Sequence, residues 1–198
     1  MSAAHLNVKP SDYDPQCFHY RAACDDEAHN RLEGRFLSHI LAVAGREVRY
    51  VYIRTRDEFE EMLDQFEDSN FRYLHISCHG SETGLKLTLD HLSIRNLKKS
   101  LAPCLENRLC GIATPALAEA LLCDTGCYSV VGPSADIEFG EAAVFWAALY
   151  YVLFRDEAKS VSRKALGSAI AKVSGALDAR VEYFACSVSA AEGFTKVN

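Results

Sequence analysis

The regular alternation of strand-like and helix-like segments is the feature that most limits how this chain can fold. Runs rich in β-branched and aromatic residues predict strands at residues 17–24, 48–54, 71–77, 127–132 and 181–186, with a weaker one at 108–110. Segments with apolar residues at helical spacing separate them. Strands that alternate with helices form βαβ units, which place helices on both faces of a parallel sheet. We therefore predict an α/β three-layer sandwich with a mainly parallel sheet flanked by helices.

Several predicted helices carry start and stop signals. Thr55 and Glu58 have the spacing of a capping box, Ser93 can cap the next helix, and Gly45 can end the first one. Asp25 and Asp26 offer N-cap oxygens to that first helix. Its predicted core stripe consists of Ala28, Leu32, Phe36, Ile40 and Val43. The last helix is predicted from the spacing of Leu166, Ile170, Val173 and Leu177.

Length and composition fit one globular domain. The 198 residues contain no internal repeat and no linker-like stretch, so we expect a lead-in at 1–15 and a single domain at 16–198. The formal net charge of −6 and the lack of a basic stripe argue against a nucleic-acid partner. The longest apolar stretch, 142–154, is shorter than the ~20 residues that cross a bilayer, so we expect a buried helix and no membrane association.

The N-terminus and the cysteines indicate the compartment. The first ten residues lack the basic start and apolar run of a secretory signal. A chain with eight cysteines and a core of this size does not need a disulfide framework, and no CxxC pair is present. We therefore expect a cytoplasmic protein in which most cysteines serve as small core residues.

Reactive side chains follow two predicted neighbouring strands. His79 comes directly after the third strand and is followed by Gly80, whose backbone N–H can face a substrate oxygen. Cys110 ends the weak fourth strand, shortly before a helix whose dipole favours a thiolate. Adjacent parallel strands would bring the two side chains together as a nucleophile and base pair. The alternative is a structural histidine and a core cysteine.

Two stretches resemble a known group of peptidases. Residues 72–80, RYLHISCHG, look like the histidine strand of CHAT-domain and related caspase-fold cysteine peptidases. Residues 116–132, ALAEALLCDTGCYSVVG, resemble the helix and Ser-Val-Val strand that follow the catalytic cysteine in that family. The resemblance implies a caspase-like domain that acts as a cysteine endopeptidase on a protein substrate, without a cofactor, as the effector of a regulated system.

The resemblance also assigns roles to residues. His79 would be the catalytic histidine and Cys110 the nucleophile, while the backbone N–H groups of Gly80 and Cys110 would form the oxyanion hole. One feature departs from the family: only Leu109 provides apolar strand sequence before Cys110, whereas a central parallel strand is normally apolar throughout. This leaves open a second interpretation, a pseudopeptidase that serves as a protein-interaction or regulatory module.

The turn after the 127–132 strand contains Asp136 and Glu138 and no basic residue. If it helps to form the substrate-binding pocket, the two carboxylates would favour cleavage after Arg or Lys. The alternative is that Asp136 caps the helix expected to begin near Glu141.

The sequence gives less support to three alternatives: another catalytic cysteine, a metal site and a flavodoxin-like domain. Cys78 would lie on the opposite face of the strand from His79, and Cys186 on the closing strand is predicted to be a core residue. A metal site of His75, Cys78 and His79 lacks further ligands, so no metal is predicted. A flavodoxin-like ligand-binding domain is disfavoured because no glycine-rich loop follows the first strand.

Overall fold

The structure is a computed structural model. It describes residues 17–22, 33–81, 83–105, 109–111, 115–122, 127–134, 137–155, 161–187, 190 and 193–197. Within these ranges it describes the backbone alone for residues 17–22, 79–81, 109–111 and 115–116. The predicted lead-in at 1–15, the proposed caps Asp25 and Asp26, and Asp136 lie outside the described residues.

Strands and helices alternate as predicted. The described strands are β1 (Cys17–Ala22), β2 (Val48–Tyr52), β3 (Tyr73–Ser81), β4 (Gly84–Lys86), β5 (His91–Ser93), β6 (Leu109–Gly111), β7 (Ser129–Pro133), β8 (Val181–Cys186) and β9 (Phe194–Val197). The described helices are α1 (Glu33–Val43), α2 (Arg56–Glu67), α3 (Ile94–Leu101), α4 (Pro115–Leu122), α5 (Phe139–Phe154) and α6 (Arg163–Leu177).

All described strands belong to one sheet of mixed direction. The order is β2-β1-β3-β6-β7-β8-β9, and β4 and β5 form an arm on β3. The five strands from β2 to β7 pair in parallel. The pairs β7–β8, β8–β9, β3–β4 and β4–β5 are antiparallel. The α/β class is confirmed, but the sheet is mixed rather than mainly parallel.

The direction of β8 follows from the number of helices before it. One crossover helix returns the chain to the edge where the previous strand began, which gives a parallel neighbour. Two helices, α5 and α6, lie between β7 and β8, so the chain arrives at the opposite edge and β8 runs backwards. The same strand predicted from its sequence at 181–186 is therefore antiparallel.

Helices cover both faces of the sheet, which gives three layers. On one face α2, α3 and α4 pack with Leu74, Ile76, Val130 and Phe184 in one hydrophobic cluster. On the other face α1, α5 and α6 pack with Tyr73, Val131, Tyr183 and Ala185 in a second cluster. Alternate residues of β3 and β8 thus serve opposite faces, as the period of two in a strand requires.

Most helix signals act as predicted. The Thr55 side chain accepts from the Glu58 N–H, and the Glu58 side chain accepts from the Thr55 N–H, which completes the capping box. The Ser93 side chain accepts from the Asn96 N–H. At the end of α1, Gly45 has a φ of 72° and donates to the Ala42 carbonyl, so it ends the helix as expected.

The prediction of which side of α1 faces the core is wrong. Leu37 and Leu41 are its buried apolar residues, whereas Phe36 is 45% and Val43 88% exposed. A helix with apolar residues at several adjacent positions offers two stripes, and the pairing with α5 decides which one is buried. The part of the stripe at Ala28 and Leu32 lies outside the described residues.

Within the described ranges, no helix is both long and apolar enough to cross a membrane. The described cysteine side chains, Cys78, Cys104, Cys127 and Cys186, are not joined to one another by disulfides.

Candidate functional site

His79 lies where β3 leaves the parallel sheet. Up to Cys78, β3 pairs with β1, and Cys78 is the Cα partner of Ala22 at the end of that strand. His79 and Gly80 pair instead with Lys86 and Leu85 of the arm. The backbone of His79 therefore lies at the carboxyl edge of the parallel strands, where α/β proteins place their ligand sites.

Cys110 lies much further down the sheet. In the parallel pairing of β3 and β6, Cys110 is the Cα partner of Leu74, and Gly111 is the partner of His75. His79 is five residues beyond Leu74, which at ~3.3 Å per residue is a distance of about 17 Å along the strand. The register therefore corrects the expectation that neighbouring strands bring His79 and Cys110 to one level. Gly80 and Cys110, the predicted oxyanion-hole pair, are offset by one residue more.

No thiol occurs in the sequence between β6 and α4. The three residues after Gly111 are Ile112, Ala113 and Thr114, and α4 begins at Pro115. Residues 112–114 lie outside the described part of the chain. The sequence between β6 and α4 therefore contains one hydroxyl group and no cysteine.

The thiols with described side chains lie in the core or pack against it. Cys104 and Cys127 are buried, and their sulfurs donate to the carbonyls of Leu101 and Ser129. Cys78 and Cys186 are half-buried and pack against the cluster on the α2–α4 face. Because β8 runs antiparallel, Cys186 lies beyond the start of β7, at the edge opposite to His79, where its N–H donates to the Tyr128 carbonyl. Cys186 therefore contacts the core, as predicted, but it is only half-buried.

The residues considered for a metal site are not arranged around one point. His75 stacks edge-on against Trp146 on the α5 face of the sheet, whereas Cys78 packs against the cluster on the other face. Among the residues that the structure describes, no three potential ligands come together.

A buried polar cluster below the carboxyl edge was not predicted from the sequence. His75 is 1% exposed, and its Nδ1 is 2.7 Å from the Tyr150 hydroxyl. Its Nε2 lies 3.8 Å from Oε1 of Glu33, the first residue of α1. The Ser77 hydroxyl donates to the other oxygen of Glu33 at 2.6 Å. We call these four residues the buried polar cluster.

The buried polar cluster joins three elements. It connects β3, the start of α1 and the second half of α5 inside a face whose other buried residues are mostly apolar. Hydrogen bonds between buried groups have strict geometry, so they fix the middle of β3 and the first residue of α1 relative to each other. The available sequence signal was the pair His75 and Ser77, two polar residues at alternate positions of a strand expected to be apolar.

The predicted substrate-binding residues precede α5. Glu138 is exposed and is the N-cap residue of α5, without a side-chain capping hydrogen bond. The helix thus begins earlier than Glu141, and the capping position belongs to Glu138 rather than to Asp136. Next to Glu138, Ile137 lines a cavity of about 540 Å³ between the start of α5 and the end of α6.

Comparison with solved structures shows a distant similarity in fold. No protein-family model matches the chain, and no curated protein matches its sequence. The crystal structure of caspase-1 from Spodoptera frugiperda is similar over 82% of this chain and 77% of that chain, with 13% sequence identity and a TM-score of 0.46. Similarity at this level does not assign the chain to a family.

Proposed function

We propose that this protein is a non-catalytic binding module, a pseudopeptidase that recognises a segment of a protein partner at the carboxyl edge of its sheet. The observation that carries the proposal is the register of β3 and β6. Cys110 pairs with Leu74, five residues before His79. A thiol and an imidazole must come within hydrogen-bond reach to act as nucleophile and base, and the two side chains together are too short to bridge about 17 Å.

A different register would not easily restore the dyad. To bring Cys110 level with His79, β6 would have to slide by five residues along β3. A shift by an odd number of residues moves each side chain of a strand to the other face of the sheet. It would also break the pairing of Leu109 and Cys110 with Ser129 and Val130 of β7. The observed register is therefore the one that agrees with the pairing of β6 and β7.

The second candidate function is a cysteine endopeptidase. The position of His79 and Gly80 at the carboxyl edge favours it, because catalytic groups collect there in α/β proteins. In that case Cys110 would remain the proposed nucleophile, and Asp136 and Glu138 would favour Arg or Lys before the scissile bond. This candidate predicts turnover, whereas a pseudopeptidase predicts none.

A fluorogenic peptide library that varies the residue before the scissile bond distinguishes the two candidates. We expect no turnover above the rate without protein. Turnover that disappears in both His79→Ala and Cys110→Ala, while circular dichroism shows both variants folded, would overturn the proposal. If such turnover prefers Arg and loses this preference in Glu138→Gln, the acidic pocket of the endopeptidase would be supported as well.

A further inference from the structure

We propose that the cavity between α5 and α6 binds an extended segment of a partner protein in which an apolar side chain is flanked by Lys or Arg. The inference rests on the proposed function, because it assigns the binding site of a module without a catalytic dyad. We call this cavity the α5–α6 cavity.

The α5–α6 cavity has the size and the apolar wall of a binding site. Its volume of about 540 Å³ lies within the range of roughly 300–1,000 Å³ that is typical of ligand sites. Ile137, Val144 and Leu177 form its apolar wall. Val144 is 51% and Leu177 42% exposed, which are high fractions for large apolar side chains. A bulky apolar side chain of a partner would remove this surface from water.

Charges at the α5–α6 cavity determine which segment fits. Glu141, Asp178 and Arg180 line it, and the exposed Glu138 follows the lining residue Ile137 in the sequence. Within the described ranges, the side chains of Glu141, Asp178 and Arg180 form no hydrogen bond or ion pair. Carboxylates therefore outnumber the single guanidinium and have no internal partner among the described residues. They would attract Lys or Arg beside the apolar anchor and repel the phosphates of a nucleic acid.

The wall formed by the end of α6 is held in place by backbone hydrogen bonds. Asp178 adopts a left-handed conformation with φ 51° and ψ 32°, which turns the chain from α6 towards β8. The Ala179 N–H donates to the Ser174 carbonyl, and the Ser134 N–H donates to the Arg180 carbonyl at 3.0 Å. The wall is thus anchored to the end of β7. A site that exists before binding loses less entropy when a segment is bound.

The test uses the full chain and three capped peptides, acetyl-GKLKG-amide, acetyl-GELEG-amide and acetyl-GKSKG-amide. Binding is followed by NMR of the Ile, Leu and Val methyl groups. We expect the first peptide to shift the methyl signals of Ile137, Val144 and Leu177 in a saturable way. The Glu-flanked and the Ser-centred peptides should each bind at least about tenfold more weakly, which corresponds to ~1.4 kcal/mol.

Matched variants separate the cavity from general charge and surface effects. Glu141→Lys should weaken binding of acetyl-GKLKG-amide about tenfold, whereas Glu61→Lys on the exposed side of α2 should leave it unchanged. Leu177→Asp should abolish the methyl shifts, whereas Leu89→Asp, at an exposed leucine of the β4–β5 arm, should not.

Three results would overturn the inference: no binding by any of the three peptides at millimolar concentration, shifts confined to methyl groups outside the cavity, or equal binding by wild type and Glu141→Lys. These results can be told apart from failure of the proposed function. Turnover of the fluorogenic library would contradict a non-catalytic module and leave binding at the cavity intact. Absence of peptide binding would contradict the α5–α6 cavity as the binding site. It would not affect the conclusion that the protein is non-catalytic, which depends on the turnover assay.

Discussion

At the scale of single residues, the hydrogen bond between His75 and Tyr150 makes a measurable contribution to stability. Both side chains are almost fully buried, and removal of the hydroxyl deprives a buried imidazole of this hydrogen bond. We expect Tyr150→Phe to lower the free energy of unfolding by about 1–3 kcal/mol in urea denaturation. The neighbouring exposed Tyr151 is the matched control, and Tyr151→Phe should change stability by less than about 0.5 kcal/mol. Equal effects of the two substitutions would contradict the role of the buried polar cluster.

A second residue-scale prediction concerns Tyr183. Its burial raises the pKa of the phenol above the ordinary value of 10.0, against a smaller opposing effect of the hydrogen bond with Ser129. The unfolded chain then loses this proton at a lower pH than the folded chain. The contribution of the protonated Tyr183 phenol to the free energy of unfolding is complete below its pKa in the unfolded chain. It is lost as the pH rises through its pKa in the folded chain. Wild type should therefore lose melting temperature between about pH 9 and about pH 11 more steeply than Tyr183→Phe. Parallel curves for the two proteins would show that Tyr183 does not carry the effect.

At the scale of elements, the β4–β5 arm depends on one glycine. Gly84 has a φ of 154°, and a Cβ added there would lie 1.9 Å from the carbonyl oxygen of Leu92. Because that oxygen belongs to the backbone of β5, the clash cannot be relieved by a side-chain movement. We expect Gly84→Ala to cost more than about 2 kcal/mol.

The control for Gly84 is a glycine with space around it. Gly175 lies within α6, and an added Cβ would meet nothing within 4 Å. Gly175→Ala should therefore raise stability by up to about 1 kcal/mol, because alanine favours the helix. A Gly84→Ala variant as stable as wild type in the same thermal denaturation assay would contradict the close approach of β4 and β5.

The elements themselves were largely predictable from the sequence. Capping residues such as Thr55 and Ser93 act through neighbours three positions away, so their effect can be read locally. The direction of β8 and the buried side of α1 depend on packing between distant segments. The final strand β9 was not predicted, because it has only four residues. Two of them, Thr195 and Lys196, are exposed, so the sequence shows no apolar strand pattern there. Lys196 forms an ion pair with Glu182 across the β8–β9 ladder.

At the scale of the whole molecule, the sequence located the candidate edge of the sheet but not the alignment of its strands. His79 lies at the carboxyl edge as predicted, because a strand pattern and its end are local features. The register of β6 against β3 is set by how β6 fits between β3 and β7, and three strand residues contain too little pattern to reveal it. The α5–α6 cavity could not be predicted from the sequence for a similar reason, because its lining comes from the ends of two helices that are far apart in the sequence.

The rate at which iodoacetamide alkylates Cys110 at neutral pH tests the central claim most directly. A thiol paired with His79 would be present as a reactive thiolate, and it would lose this reactivity when the imidazole is removed. With Cys110 level with Leu74, we expect wild type and His79→Ala to be alkylated at Cys110 at the same rate within about twofold, as mapped by mass spectrometry. Alkylation of Cys110 more than about tenfold faster in wild type than in His79→Ala would contradict the account and restore the dyad.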